Sequence, residues 1–191
     1  MENLVEVKNL RKKYGSKEAV KDISFNIKEN EILGLLGPNG SGKTTTIGMM
    51  LGLLKPTNGE ILIDGKKIEE NRIETLQKIN FISPYIELPK KLTVKQNLIV
   101  YCKLYNVSDT KNRIEYLVEK LKLEELLNRV TGELSSGQKN RASLAKALIN
   151  NPSVLFLDEP TASLDPEIGD FVRSFLENYK KENYLVKIFT I

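Results

Sequence analysis

The sequence contains no histidine and no tryptophan. No imidazole can therefore act as base, metal ligand or phosphate contact anywhere in it. Its single cysteine, Cys102, excludes an internal disulfide and suits a reducing compartment; such a lone thiol reads as a small buried hydrophobe. No apolar run approaches the roughly 18–20 residues that cross a bilayer as a helix, so anything done at a membrane needs another component to hold the chain there. The start, Met1-Glu-Asn-Leu, lacks a basic segment followed by an apolar one, and no signal peptide is expected. Internal repeats, low-complexity tracts and Pro/Ser-rich linkers are also missing. The net charge of +4 is mild. It suits a nucleotide ligand or an anionic surface, solvated lysine-rich faces explain it equally, and it gives no ground for nucleic-acid binding.

What remains is an ordinary globular composition, 40% hydrophobic and 28% charged over 191 residues, enough for one domain with a sizeable core. Val5 and Val7 alternate with Glu6 and Lys8, and Ile23, Phe25 and Ile27 alternate with Ser24 and Asn26, the period of half-buried strands. Two runs are instead continuously apolar, residues 32–36 and 154–157, and are expected to be strands covered on both faces. Further strands are expected over residues 60–64, 79–82 and 185–191. Helices are expected over residues 45–54 and around 72–78. From residue 93 to 150 the character is helical: Thr93, then Ser108 or Asp109, then Ser135 or Ser136 stand where amino-terminal caps belong. Pro166 suits the first turn of a last helix. Strands alternating with helices argue for an α/β domain.

Between the strand at 32–36 and the helix at 45–54 lies Gly37-Pro38-Asn39-Gly40-Ser41-Gly42-Lys43-Thr44-Thr45. A buried strand, a glycine-rich loop and a helix, in that order, form the setting of a phosphate-binding P-loop. Glycines at 37, 40 and 42 remove the Cβ atoms that would keep the backbone from wrapping a phosphate. The freed N–H groups and the positive end of the helix dipole then aim at one anion. Lys43 adds a positive charge for the outer phosphates, and the Thr44 hydroxyl is placed to hold Mg²⁺. The second apolar strand delivers Asp158 and Glu159 at its carboxyl end, the edge where open α/β sheets bind ligands. Asp158 is the expected partner of the same Mg²⁺, and Glu159 can orient or deprotonate a water attacking the γ-phosphate.

Leu134-Ser135-Ser136-Gly137-Gln138 resembles the Leu-Ser-Gly-Gly-Gln signature of ATP-binding cassette (ABC) ATPases, with serine replacing the first glycine. With the P-loop and the Asp158-Glu159 strand end, the resemblance to the nucleotide-binding domain of that family covers essentially the whole chain. It implies a P-loop NTPase of the α/β class: a RecA-like core with an antiparallel β subdomain (1–83 and 152–191) plus an inserted α-helical subdomain (84–151). Tyr14 resembles the aromatic residue that stacks on adenine. Ser163 and Asp165 resemble the D-loop at the subunit interface. Ser135, Ser136, Gly137 and Gln138 would close over ATP bound to a second subunit. The resemblance implies ATP and Mg²⁺ as ligands, a second ABC subunit and an integral membrane permease as partners, no nucleic acid, and a cytoplasmic position at the inner face of the membrane.

Two departures accompany it. The place of the family's Q-loop glutamine, counted back from Leu92-Thr93-Val94, is filled by Pro84, which has no side-chain amide. Glu87 and Ser83 are polar neighbours, and neither is expected to replace it. The family's H-loop histidine would follow the last strand, at about the point where the sequence stops; on this resemblance the carboxy-terminal end is expected to be truncated. The leading expectation is an ATPase subunit that drives a separate permease. The alternative is a degenerate ATP-binding regulatory or structural subunit with little hydrolysis.

Overall fold

Two long strands open the chain. β1 (Asn3–Tyr14) and β2 (Lys17–Lys28) form an antiparallel hairpin, with Val5 and Val7 buried as their alternation with charged residues dictates. The computed structural model describes residues 3–83, 87–158, 166–183 and 186–190. β4 (Asn58–Ile63) pairs with the other side of β1, and β5 (Lys66–Lys67) continues that sheet. Asp64 and Gly65 turn β4 into β5 with φ of 51° and 69°, the positive values a two-residue hairpin turn requires. β5 is a strand the sequence conceals: two lysines carry no apolar periodicity.

The second sheet is parallel, in the order β3 (Ile32–Leu35), β8 (Val186–Thr190), β7 (Val154–Asp158), β6 (Ile79–Ile82). Alternate residues of β7 serve two cores. Leu155 and Leu157 face the helices, whereas Val154 and Phe156 belong to the core shared with the antiparallel sheet. All four are fully buried, as the unbroken apolar run predicts. The same expectation fails for β3. Ile32 is 47% and Leu36 71% exposed, because among the described residues β3 pairs only with β8 and lies at the sheet's edge.

α1 (Lys43–Met50) begins and ends earlier than its sequence pattern suggests. Its last turn folds back at Gly52 (φ 65°), and Gly48 O accepts from the amides of Leu53 and Leu54. α2 (Arg72–Gln77) leads into β6. Between β6 and β7 come α3 (Val94–Leu104), α4 (Thr110–Lys120) and α5 (Ser136–Leu148). Each starts where a side chain accepts from its first turn: Thr93 and Ser135 in reciprocal capping boxes with Gln96 and Gln138, and Asp109 to the amide of Asn112. Pro166 opens α6 (Pro166–Asn183).

Arg113 of α4 reaches the opposite end of α5, donating to Ile149 O at 3.2 Å, to Leu148 O, and to the Tyr179 hydroxyl at 2.7 Å. A cation on the last carbonyls of a helix opposes its negative pole. This contact fixes α4, α5 and α6 to one another.

Candidate nucleotide site

The loop 37–42 runs from the carboxyl end of β3 into α1, as the P-loop pattern requires. Gly42 explains why the loop needs glycine. Its φ is 97°, and a Cβ there would collide with the Ala19 carbonyl oxygen of β2. The loop is thus pressed against a neighbouring strand by a contact only glycine permits. Gly42 caps α1 without any side-chain hydrogen bond, and the first turn carries no acid. The first amides of α1 consequently remain available to an anion, whereas a side chain occupies one first-turn amide in each of α3, α4 and α5.

Lys43 extends its ammonium back over the loop, where Gly37 O and Pro38 O accept, the latter at 3.3 Å. Both partners are neutral carbonyls, so the charge is oriented without being neutralised. Pro38, Asn39, Gly40, Ser41 and Thr44 are exposed, and Thr45 is half-buried. Tyr14 sits at the tip of the β1–β2 hairpin, paired with Lys17, a few residues from the Ala19–Gly42 contact. It is 49% exposed, with the Lys12 ammonium 5.1 Å from its ring centroid.

Asp158 ends β7 on the same carboxyl edge of the sheet as the P-loop, with β8 alone between their strands. Two strand spacings place these ends about 10 Å apart, room for phosphates and a hydrated cation. Asp158 accepts from the Ser83 hydroxyl at 3.2 Å, a contact that sequence reasoning did not anticipate. Glu87, the other polar neighbour of Pro84, pairs instead with Lys90 at 2.6 Å.

The residues present suit Mg²⁺. Among the described residues no three of His, Cys, Asp or Glu gather into a metal cage. A cation bound here would need the few hard oxygens of Thr44 and Asp158, completed by phosphate and water, and that is how Mg²⁺ is held. Glu159, Ser163, Asp165 and Pro84 lie outside the described residues.

The signature stretch lies elsewhere. Leu134 is buried and anchors it, while Ser135 and Gln138 hydrogen-bond each other's backbone amides at 3.3 and 3.0 Å. Ser136 is exposed. Gly137 is buried, and Ile168 of α6 packs where a Cβ would stand. α5 packs on β6, its Lys146 bonded to Asn80 and Phe81, at the opposite side of the sheet from β3. Three strand spacings within the sheet and a helix layer at right angles to it put α5 roughly 17 Å from the P-loop strand. The structure therefore brings Asp158 to the P-loop and leaves Ser135, Ser136, Gly137 and Gln138 outside that cluster.

Known proteins resemble this chain in sequence and in fold. The family model for ABC transporters matches residues 20–162. The Nod factor export ATP-binding protein I of Burkholderia orbicola (strain AU 1054) is 41% identical over 165 residues, 85% of this chain and 54% of that protein. The bacitracin transport ATP-binding protein BcrA of Bacillus licheniformis is 38% identical over 185 residues, 95% of this chain and 59% of that protein. The chain thus spans little more than half the length of these relatives. Among solved structures, an ATP-binding subunit of an ABC transporter has a TM-score of 0.88 at 26% identity, over 98% of this chain and 79% of that one. The cbiO1 protein of Clostridium perfringens, part of the ABC transporter complex cbiONQ, has a TM-score of 0.85 at 31% identity, over 100% of this chain and 78% of that one. With its P-loop NTPase fold, this chain belongs to the ABC transporter family as an ATP-binding cassette.

Proposed function

We propose that this chain is the ATP-binding subunit of a transporter, hydrolysing ATP in a head-to-tail dimer to drive a separate membrane permease. The observation that carries the reading is the split of its phosphate-binding features between two sides of one sheet. The P-loop and Asp158 make one half of a site. The start of α5, with Ser135, Ser136, Gly137 and Gln138, lies too far away to complete it. A second subunit facing the first in the opposite sense would supply what is missing to both sites, and Ser163 and Asp165 would lie along that interface.

In each site Lys43 and the amides of α1 would bind the phosphates, while the exposed ring of Tyr14 would stack on the base. Thr44 and Asp158 would hold Mg²⁺, which when bound neutralises developing phosphate charge. Glu159 would take the proton of the attacking water. Closure on ATP and reopening after hydrolysis would work the permease. The relative that is part of the cbiONQ transporter complex supports a partner of this kind. Among the described residues no helix is long and apolar enough to cross a membrane, so the permease would hold the chain at the inner face. Nucleic acid has no part in this reading. We divide the chain into a core (1–83 and 152–191) and a helical subdomain (84–151) on the same grounds.

Pro84, at the Q-loop position, favours a second reading, an ATP-binding regulatory subunit with little hydrolysis. Steady-state ATP turnover of the purified protein with its membrane partner separates the two. Glu159→Gln should retain ATP binding and lower turnover by at least about 100-fold; unchanged turnover removes Glu159 from the reaction. No turnover in the parent protein, with binding intact, selects the second reading.

A further inference from the structure

β6 and β7 run parallel with Ile79 opposite Val154 and Ile82 opposite Leu157. One residue further on, that register sets Ser83 beside Asp158. Ser83 is only 7% exposed, and its hydroxyl donates to Asp158 Oδ2 at 3.2 Å. The carboxylate of an aspartate is set by rotation about two side-chain bonds. A buried hydroxyl from the next strand fixes one of its oxygens and so determines where the other points. Residue 84, which takes the Q-loop position in the family resemblance, is a proline and has no side-chain amide.

We propose that Ser83 is the positioning residue of the metal-binding carboxylate, holding Asp158 from the neighbouring strand so that its other oxygen faces the P-loop. The proposal rests on the reading of Asp158 as the acid that holds Mg²⁺. It gives this chain a local means of orienting that acid, supplied by β6 itself. Groups that orient a metal ligand typically change metal affinity by about 10–100-fold when removed, which sets the scale of the effect.

The test is the enhancement of binding by metal, measured without turnover. The affinity of the purified protein for a fluorescent, non-hydrolysable ATP analogue is measured in EDTA and in saturating Mg²⁺, and Mn²⁺ bound with the analogue is followed by electron paramagnetic resonance. Ser83→Ala should bind the analogue normally in EDTA, which also reports an intact P-loop, and should lose about tenfold of the enhancement by metal. The Mn²⁺ spectrum should change with it. Asp158→Asn supplies the reference for a disabled metal site. If Asp158→Asn loses the enhancement and Ser83→Ala keeps it within twofold, Ser83 does not position the acid and the proposal falls alone. If Asp158→Asn keeps the enhancement, the reading of Asp158 falls and takes the proposal with it. Should Ser83→Ala weaken binding equally in EDTA and in Mg²⁺, its role is structural and the proposal is overturned.

Discussion

Replacing Lys146 by methionine should make the protein more stable near neutral pH, and the gain should fade as pH rises. Lys146 projects from α5 into a groove whose lining includes Leu53, Ile73, Leu104 and Tyr105, with Arg72 as the other charged group and no acid among the described residues. Its ammonium donates to Asn80 Oδ1 at 3.2 Å and to Phe81 O at 3.4 Å, and it lies 5.2 Å from the Tyr101 ring centroid. None of these partners carries a negative charge, and burial lowers the lysine from 10.5 to about 8. Below pH 8 the side chain is protonated in both states, and the fold carries the whole penalty for burying it, about 3 kcal/mol. Between 8 and 10.5 the native lysine sheds its proton while the unfolded one keeps it, so stability rises with pH. Above 10.5 both are neutral and the penalty is gone. Lys146→Met removes it at every pH and forfeits about 1 kcal/mol of hydrogen bonding. Urea unfolding of both proteins at pH 7 and 9.5 isolates the effect of this one group. The variant should be more stable by about 2 kcal/mol at pH 7, and the difference should shrink by about 2 kcal/mol at pH 9.5. A difference that is the same at both values within about 0.5 kcal/mol would refute the assignment of a buried, unneutralised ammonium.

Three further outcomes follow from contacts at or near the site. Gly42→Ala adds a Cβ against the Ala19 carbonyl at a positive φ; strain of about 1–3 kcal/mol must be relieved by moving the loop, so affinity for ATP should drop at least about tenfold by fluorescence titration. Gly137→Ala places its methyl against the Ile168 side chain, which should lower stability by about 1–3 kcal/mol; a double-mutant cycle with Ile168→Ala should recover much of that in urea denaturation, and strict additivity would contradict the contact. Arg113→Met removes the hydrogen bonds to Leu148 O, Ile149 O and the Tyr179 hydroxyl, and should destabilise by about 2–3 kcal/mol, measured in the same way.

Local chemistry is what the sequence displayed well. Thr93, Asp109 and Ser135 cap the helices they precede because a short polar side chain satisfies first-turn amides wherever it stands. The P-loop was readable for the same reason: its glycines, lysine and threonine act on one another within a few residues. The position of β3 was not, since Ile32-Leu33-Gly34-Leu35-Leu36 looks alike in the centre of a sheet and at its edge, and strand order is decided by chain far away. β5 escaped notice because pairing to β4 makes it a strand, not its own two lysines. The helical run over 93–150 announced its apolar stripes but gave no hint that Lys146 would be buried without an acid, a property of its neighbours from β6 and α3.

The contact between Ser83 and Asp158 illustrates how remote such determinants are, for it exists only in one register of β6 against β7. A slip by one residue would set residue 84, a proline, beside Asp158 and would turn every β6 side chain to the opposite face. Apolar matching alone resists that slip weakly, since the β6 sequence Ile79-Asn80-Phe81-Ile82 offers bulky groups to both faces. The polar contacts at the other end of the strand are more discriminating. Asn80 Nδ2 donates to Asn150 Oδ1 at 2.9 Å, and Asn150 Nδ2 donates to Gln77 O at 2.7 Å and to Ile79 O at 3.3 Å. The amides of Ser153 and Val154 both donate to Lys78 O, at 2.8 and 3.1 Å. Each of these bonds would break on a shift of one residue, and the buried Asn80 amide would lose its Asn150 partner. Lys146 belongs to the same set through Asn80 Oδ1. The ammonium that lowers stability at neutral pH therefore also helps to fix the register that delivers a hydroxyl to Asp158, and Lys146→Met would lose that restraint along with the penalty.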